Sequence, residues 1–257
     1  MKQAAQWLPE AYFPPGARSV LDIGCNSGDF LAHAYSDLGF RTLYGIDINP
    51  DAVRRTSARL ADIPDAHVAQ GSADELPFAT GCVDLAVCSE VLEHIPAELR
   101  RGVIRDVSRV LAPGGRWIIT VPHTGIFRWL DPANFRLQLP LVYSAASRLM
   151  GGRDRALSYV GQKHGLVWHD HFGVEDLRQL LEPEFEIVQV RYRGGVLAST
   201  IGWLQWPFFR RQLFDNPVLK AMNELLYWDM GKDYGPRLAT NLLIVARNTR
   251  RAHGGDA

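Results

Sequence analysis

Cysteine is scarce in this 257-residue chain. Cys25, Cys82 and Cys88 show neither a CxxC pair nor zinc-ligand spacing, which argues against a disulfide-stapled or zinc-organised fold and suits a reducing compartment. Net charge is absent too: 28 Lys and Arg balance 28 Asp and Glu. That balance removes a whole-molecule attraction for nucleic acid or anionic membrane, leaving only local patches. No uninterrupted apolar run reaches the ~18 residues of a membrane span, and no Lys/Arg-led apolar segment of the signal-peptide kind opens the sequence. Internal repeats and low-complexity runs are missing as well. These absences predict a soluble cytoplasmic protein with no nucleic-acid partner. Apolar residues make up 47% of the chain, enough for a sizeable core, so one large domain with insertions is expected.

The first half alternates short apolar runs with amphipathic stretches, the pattern of βαβ units around a parallel sheet. Strands are expected at Ser19–Ile23, Thr42–Ile46, Ala66–Gln70, Val83–Cys88 and Arg116–Val121. Helices are expected at Asp29–Leu38, from Asn49-Pro50 onward, and at Pro96–Leu111, with Pro113-Gly114-Gly115 as the stop. In the third helix Leu99, Val103, Val107 and Val110 share one face, and Arg100, Arg101, Arg105 and Arg109 lie mostly outside it. After Pro122 the rhythm breaks. Residues 17–122 form a first half, 123–170 a first inserted cap and 194–236 a second, aromatic-rich one. A helix at Val174–Leu181 and strands at Phe185–Tyr192 and Thr240–Ala246 complete the core. The expected fold is α/β and Rossmann-like: a seven-stranded, mostly parallel sheet with helices on both faces and two inserted caps.

Chemistry concentrates at the strand ends. Asp22-Ile23-Gly24-Cys25-Asn26-Ser27-Gly28 places a glycine-bearing turn between the first strand and helix, where backbone can approach a ligand and free helix N–H groups face polar atoms. Asp47 closes the second strand, about twenty residues further on, where a carboxylate can accept from a ribose diol. Ala73-Asp74 and Ser89-Glu90 follow strands three and four. The glycine spacing departs from GxGxxG, and Asp22 suits a positively charged ligand better than a pyrophosphate.

Taken together, Asp22–Gly28, Asp47, Gly71–Phe78 and Ser89–Pro96 resemble the class I S-adenosylmethionine-dependent methyltransferases, in particular the bacterial group acting on ubiquinone, small molecules and glycans. The likeness covers roughly Ser19–Val121 and resumes in the last two strands. It implies S-adenosylmethionine as cofactor and roles by position. Asp22, Gly24, Cys25, Asn26 and Gly28 would hold the methionine end. Asp47 would bind the ribose, with Ile48 beside the adenine. Ala73 and Asp74 would read the adenine edge, and Ser89 and Glu90 would close the site. Asn26 stands where the family usually has glycine. Asn tolerates left-handed backbone better than most residues, so the turn can survive.

Methyl transfer from a sulfonium needs alignment above all, and a base where the acceptor is a hydroxyl. His94, His123, His164, Asp170, His169 and His171 are the candidates. His169 and His171 project to one face if their segment is extended, and one of them is the expected base near neutral pH; the same segment equally suits helix entry and packing. His94 reads as pocket wall, and His33, His67 and His253 as surface. No metal site is expected.

The first insertion mixes Phe127, Trp129 and Phe135 with Arg128, Asn134 and Arg136, which suits stacking on a sugar or a polyprenyl head group, or a self-packed lid. The second holds Val196–Phe209 followed by Arg210-Arg211. Residues 196–211 are too short to span a bilayer. They read either as a buried cap or subunit contact, or as a peripheral contact with the inner face of the membrane. The functional expectation is O-methylation of a glycan, glycolipid or polyprenyl-type acceptor. The alternatives are a quinone or secondary-metabolite methyltransferase and a non-catalytic cofactor-binding scaffold. The residues say nothing of oligomeric state.

Overall fold

A computed structural model describes residues 8–130, 170–210 and 216–251. Seven strands form one sheet: β1 (Ser19–Ile23), β2 (Thr42–Asp47), β3 (Ala66–Gln70), β4 (Val83–Ser89), β5 (Leu111–Pro122), β6 (Phe185–Arg193) and β7 (Asn241–Asn248). Their order is β3-β2-β1-β4-β5-β7-β6. The pairs β1–β2, β1–β4, β2–β3 and β4–β5 are parallel, with Leu21 facing Tyr44 on one side and Ala86 on the other. The chain thus leaves β1 toward β2 and β3, then returns to place β4 on the other flank of β1. That reversal opens a crevice beyond the carboxyl ends of β1 and β4, the position where open α/β sheets bind ligands.

Local sequence explains the elements. All five residues of β1 are buried, as a continuous apolar run inside a parallel sheet requires. Helix α1 (Asp29–Ser36) buries Leu31 and Ala34. Helix α2 (Pro50–Arg59) starts where expected, with Pro50 in the first turn and the Asn49 side chain accepting from the Asp51 N–H. Val20, Leu31, Phe40, Leu43, Leu85 and Ile118 belong to one buried cluster.

Several details depart from the expected reading, beyond shifts of one or two residues at the ends of β2, β4, β6 and β7. Helix α1 ends at Ser36 rather than Leu38, because left-handed Gly39 (φ 80°) turns the chain and Phe40 donates its N–H back to the Ala34 carbonyl at 3.1 Å. Helix α3 (Ala97–Val110) ends before the Pro-Gly-Gly stop, and β5 begins at Leu111 instead of Arg116 because Leu111 pairs with Val83 ahead of a register shift. Within α3, Val103, Val107 and Val110 are buried, but Leu99 is 41% exposed, so the inner stripe starts one turn later than the spacing suggests. Arg109 is also not a solvated arginine. It donates to the Leu76 and Phe78 carbonyls, each at 2.8 Å, and pairs with Asp106. Of the surface histidines, His33 is only partly exposed and is held by Asp37, whereas His67 is exposed; His253 lies outside the described residues.

Helix α4 (Val174–Leu181) follows, its Asp176 side chain accepting from the Gly173 N–H at 2.7 Å. Pro122–Phe172 and Arg191–Leu242 form a second compact unit. Its described helices are α5 (Val196–Arg210), α6 (Pro217–Met230) and the short α7 (Gly235–Leu238). Asp229 organises them. Fully buried, it accepts from the Gly195 and Ala198 N–H groups, each at 2.8 Å, and from the Tyr234 hydroxyl. A carboxylate at the start of α5 satisfies N–H groups that have no partner within the helix and complements its dipole. Asp229 also pushes the Tyr234 phenol up to about 12. Among the described residues no helix is long and apolar enough to cross a membrane.

Candidate functional site

The first turn after β1 carries the special backbone. Gly24 (φ 79°), Asn26 (φ 46°) and Gly28 (φ 72°) are all left-handed. A Cβ on Gly24 would lie 2.5 Å from Val91 Cγ2, and one on Gly28 would lie 2.9 Å from Thr56 Cγ2, so both positions require glycine for conformation and for space. Asn26 supplies the third left-handed residue, as its tolerance of that region allows. The Gly24 and Cys25 N–H groups donate to the Ile46 carbonyl at 2.8 and 3.1 Å, tying the turn to the end of β2.

Asp22 and Asp47 stand beside this turn. Asp22 is buried, and its pKa is raised to about 7, first by burial and then by the charge of Asp47. Asp47 accepts from the Asn26 N–H through Oδ2 and from the Asn49 N–H through Oδ1, both at 2.9 Å. Each of its oxygens keeps a second lone pair for an incoming donor. Ile48 is half-buried next to it, its carbonyl accepting from Gln70. Buried Cys25 and Cys88 are held as thiols: burial pushes both up, Cys25 to about 12. They are inert packing, not nucleophiles.

The turns after β3 and β4 hold the remaining candidates. Asp74 is half-buried and accepts from the Ser72 hydroxyl, with half-buried Ala73 before it in the same turn. Ser89 Oγ lies 2.9 Å from Thr120 Oγ1, and Glu90, itself left-handed at φ 54°, donates its N–H to the Thr120 carbonyl at 3.0 Å. Sequence reasoning passed over Thr120, which sets the ends of β4 and β5 level, and Val91, whose side chain limits Gly24. It also passed over three residues of α2. Thr56 Oγ1 donates to the Asn26 carbonyl at 3.1 Å, Arg55 to the Asn26 side chain at 3.2 Å, and Arg59 Nε to the Ser27 carbonyl at 2.7 Å. No local pattern in the sequence of α2 marks them, since each partner lies about thirty residues earlier.

Two carboxylates beside a sharply turned backbone with glycine at both ends make a cradle for a cationic ligand bearing a diol. That donor set fits S-adenosylmethionine. Comparison with known proteins points the same way. Residues 20–115 match the family described as a methyltransferase domain. By that match, residues 20–115 carry a methyltransferase domain. Over 167 residues it is 31% identical to an uncharacterized methyltransferase of Mycobacterium tuberculosis (strain H37Ra), covering 65% of this chain and 59% of that one. A relative in Mycobacterium leprae (strain Br4923) is 34% identical over 62% of this chain and 53% of its own length. The chain therefore spans between half and two thirds of these relatives. The fold is also that of a geranyl diphosphate methyltransferase solved with S-adenosylmethionine (TM-score 0.59, 15% identity, 96% of this chain and 85% of that one). An S-adenosylmethionine-dependent methyltransferase of Mesorhizobium loti shares it too (TM-score 0.55, 20% identity, 93% and 95%). The donor set of the turn and the methyltransferase-domain match are thus consistent with each other.

The base candidates divide clearly. His123, 6% exposed, has Nδ1 at 3.0 Å from the Phe172 carbonyl and Nε2 at 2.8 Å from that of Pro236, so both ring nitrogens are engaged by backbone and it acts as a clamp. His94 lies 3.9 Å from buried Glu93, a carboxylate the sequence reading did not single out. Asp170 and His171 are half-buried ahead of α4. His164 and His169 lie outside the described residues. Among the described residues no group of three His, Cys, Asp or Glu side chains is placed to hold a metal ion.

Proposed function

We propose that the protein is an S-adenosylmethionine-dependent methyltransferase that methylates an oxygen of a glycan, glycolipid or polyprenyl-type acceptor on the cytoplasmic side of the membrane. The adjoining carboxylates Asp22 and Asp47, level with one left-handed turn, support the cofactor half of this reading. In it, Asp22 and the Gly24, Cys25, Asn26 and Gly28 backbone hold the cationic methionine end. Asp47 accepts from the ribose hydroxyls, Ile48 packs beside the adenine, Ala73 and Asp74 read its edge, and Ser89 and Glu90 close the site.

When bound, the cofactor supplies a methyl group on an excellent leaving group. The chain's own contribution is then alignment, which alone can supply on the order of 7–11 kcal/mol. Asp22, buried and with its pKa raised to about 7, gains a counter-charge when the cationic end of the cofactor binds beside it. His171 is the described residue assigned to take the acceptor proton, with His169 as the second candidate; such a base adds about 10²–10⁴-fold for a hydroxyl.

The acceptor class rests on the composition of the inserted unit. Among the described residues, every exposed large apolar side chain except Leu99 and Val188 belongs to it. A unit of that character suits an acceptor with an apolar tail. The test is methyl transfer from labelled S-adenosylmethionine to a bacterial lipid extract and, separately, to the water-soluble fraction. Label in the solvent phase that survives mild alkali, as an ether does, supports the reading. Label confined to the aqueous fraction transfers the assignment to a small-molecule acceptor.

A further inference from the structure

We propose that the second unit docks on the surface of an anionic lipid bilayer through the outward face of α6 and the helical turn Ile126–Leu130. Helix α6 is two-faced in an unusual sense. Its inner side buries Leu219, Asp229 and Met230, while Val218, Ala221, Leu225 and Trp228, at spacings of three and four residues, form an exposed stripe on the other. Val218 and Trp228 are each 55% exposed and Leu225 is 46% exposed. An outward stripe that is apolar over three turns is the inverse of a solvated helix face.

Three observations select a lipid surface as the occupant. First, the two tryptophans exposed among the described residues each carry a cation over the ring: Arg128 over Trp129 at 4.8 Å and Lys232 over Trp228 at 4.3 Å. Tryptophan with a neighbouring Lys or Arg is the pairing favoured where headgroups meet acyl chains, the indole entering the boundary and the cation reaching the phosphates. Second, the same unit adds an exposed Arg237 beside Leu238, which is 45% exposed, so cation and apolar side chain adjoin a third time. Third, the exposed acids among the described residues of this unit are Glu224 and Asp233, and Asp233 is taken up by Arg191 at 3.1 Å. A buried contact with a second copy would need no cations grouped at its aromatic anchors.

The docking is independent of the acceptor assignment, and its test does not use methyl transfer. The full chain is sedimented with vesicles of mixed phosphatidylcholine and phosphatidylglycerol, and with vesicles of phosphatidylcholine alone. Wild type is expected to pellet with the mixed vesicles and several-fold less with the neutral ones. Leu225→Ser is expected to lower pelleting several-fold, and Lys232→Glu, which leaves the stripe intact, to lower it on anionic vesicles only. Equal pelleting of wild type and both variants would overturn the proposal. So would a wild type that stays in solution, or a dimer in vesicle-free solution that Leu225→Ser dissociates.

Discussion

Thr56, in the second turn of α2, donates its hydroxyl to the carbonyl of Asn26, the left-handed residue at the centre of the cofactor turn, at 3.1 Å. Arg59, one turn further on, holds the next carbonyl, Ser27, at 2.7 Å and pairs with Asp29 at 2.8 Å. Since Asp47 leads directly into α2 and itself accepts from Asn26, the helix and the carboxylate fix one turn from two sides. Arg59→Gln is therefore expected to raise the KM for S-adenosylmethionine by about threefold to tenfold with little change in kcat, since a hydrogen bond to a charged group contributes roughly 1.5–3 kcal/mol at most and less when exposed. Arg59→Lys should restore part of it. Steady-state kinetics with the cofactor varied reads both numbers.

Asp22 makes the ligand-free protein and the bound one respond oppositely to pH. Its folded pKa, about 7, lies above the ordinary aspartate value of 3.8. Between those values the native state holds the extra proton, so stability without ligand is present at low pH and is lost as pH rises through 7. A cationic ligand favours the carboxylate, so affinity for S-adenosylmethionine should strengthen across the same range. Its neutral demethylated product should respond less. Thermal melts and calorimetry on either side of pH 7 check the pair of trends, and Asp22→Asn should flatten both.

Asn248 closes the end of α3 from the far end of the chain. Its Nδ2 donates to the carbonyls of Ser108, Leu111 and Ala112 at 2.9, 3.2 and 3.3 Å, and its Oδ1 accepts from the Ser108 hydroxyl at 3.0 Å. At 2% exposure there is no water to replace it. Asn248→Leu should cost about 2–4 kcal/mol, the sum of roughly two unsatisfied buried groups. Denaturant titration measures this, and the cofactor affinity of the folded fraction should not change.

His171→Ala should reduce kcat by about 10²-fold or more and leave cofactor affinity unaltered if the imidazole accepts the acceptor's proton. A wild-type rate would assign His171 to helix entry and packing ahead of α4. Single-turnover measurements with cofactor affinity determined in parallel separate the two.

Much of the sheet was legible because each strand of the first half is a short apolar run that ends in a turn residue. Ser19–Ile23 and Ala66–Gln70 fall where their apolar runs begin and end, and the acids Asp22, Asp47 and Asp74 can be read directly from the strand ends. The faces of α3 were less legible. Periodicity groups Leu99 with Val103 and Arg109 with the other arginines, but which turn meets the core depends on what lies opposite. Arg109 is drawn inward by carbonyls about thirty positions away, at Leu76 and Phe78. The grip of Thr56 and Arg59 on the cofactor turn is similarly long-range. No local pattern in α2 marks it, because an arginine on a helix reads as a solvated charge until its partner is placed.

The central claim is that Asp47 receives the ribose of S-adenosylmethionine, and calorimetric titration of the cofactor into wild type and Asp47→Ala tests it most directly. Wild type should bind, and the variant should bind at least about tenfold more weakly, the loss expected for a hydrogen-bonded charged group. Equal affinities in the two, with both proteins folded, would contradict the account.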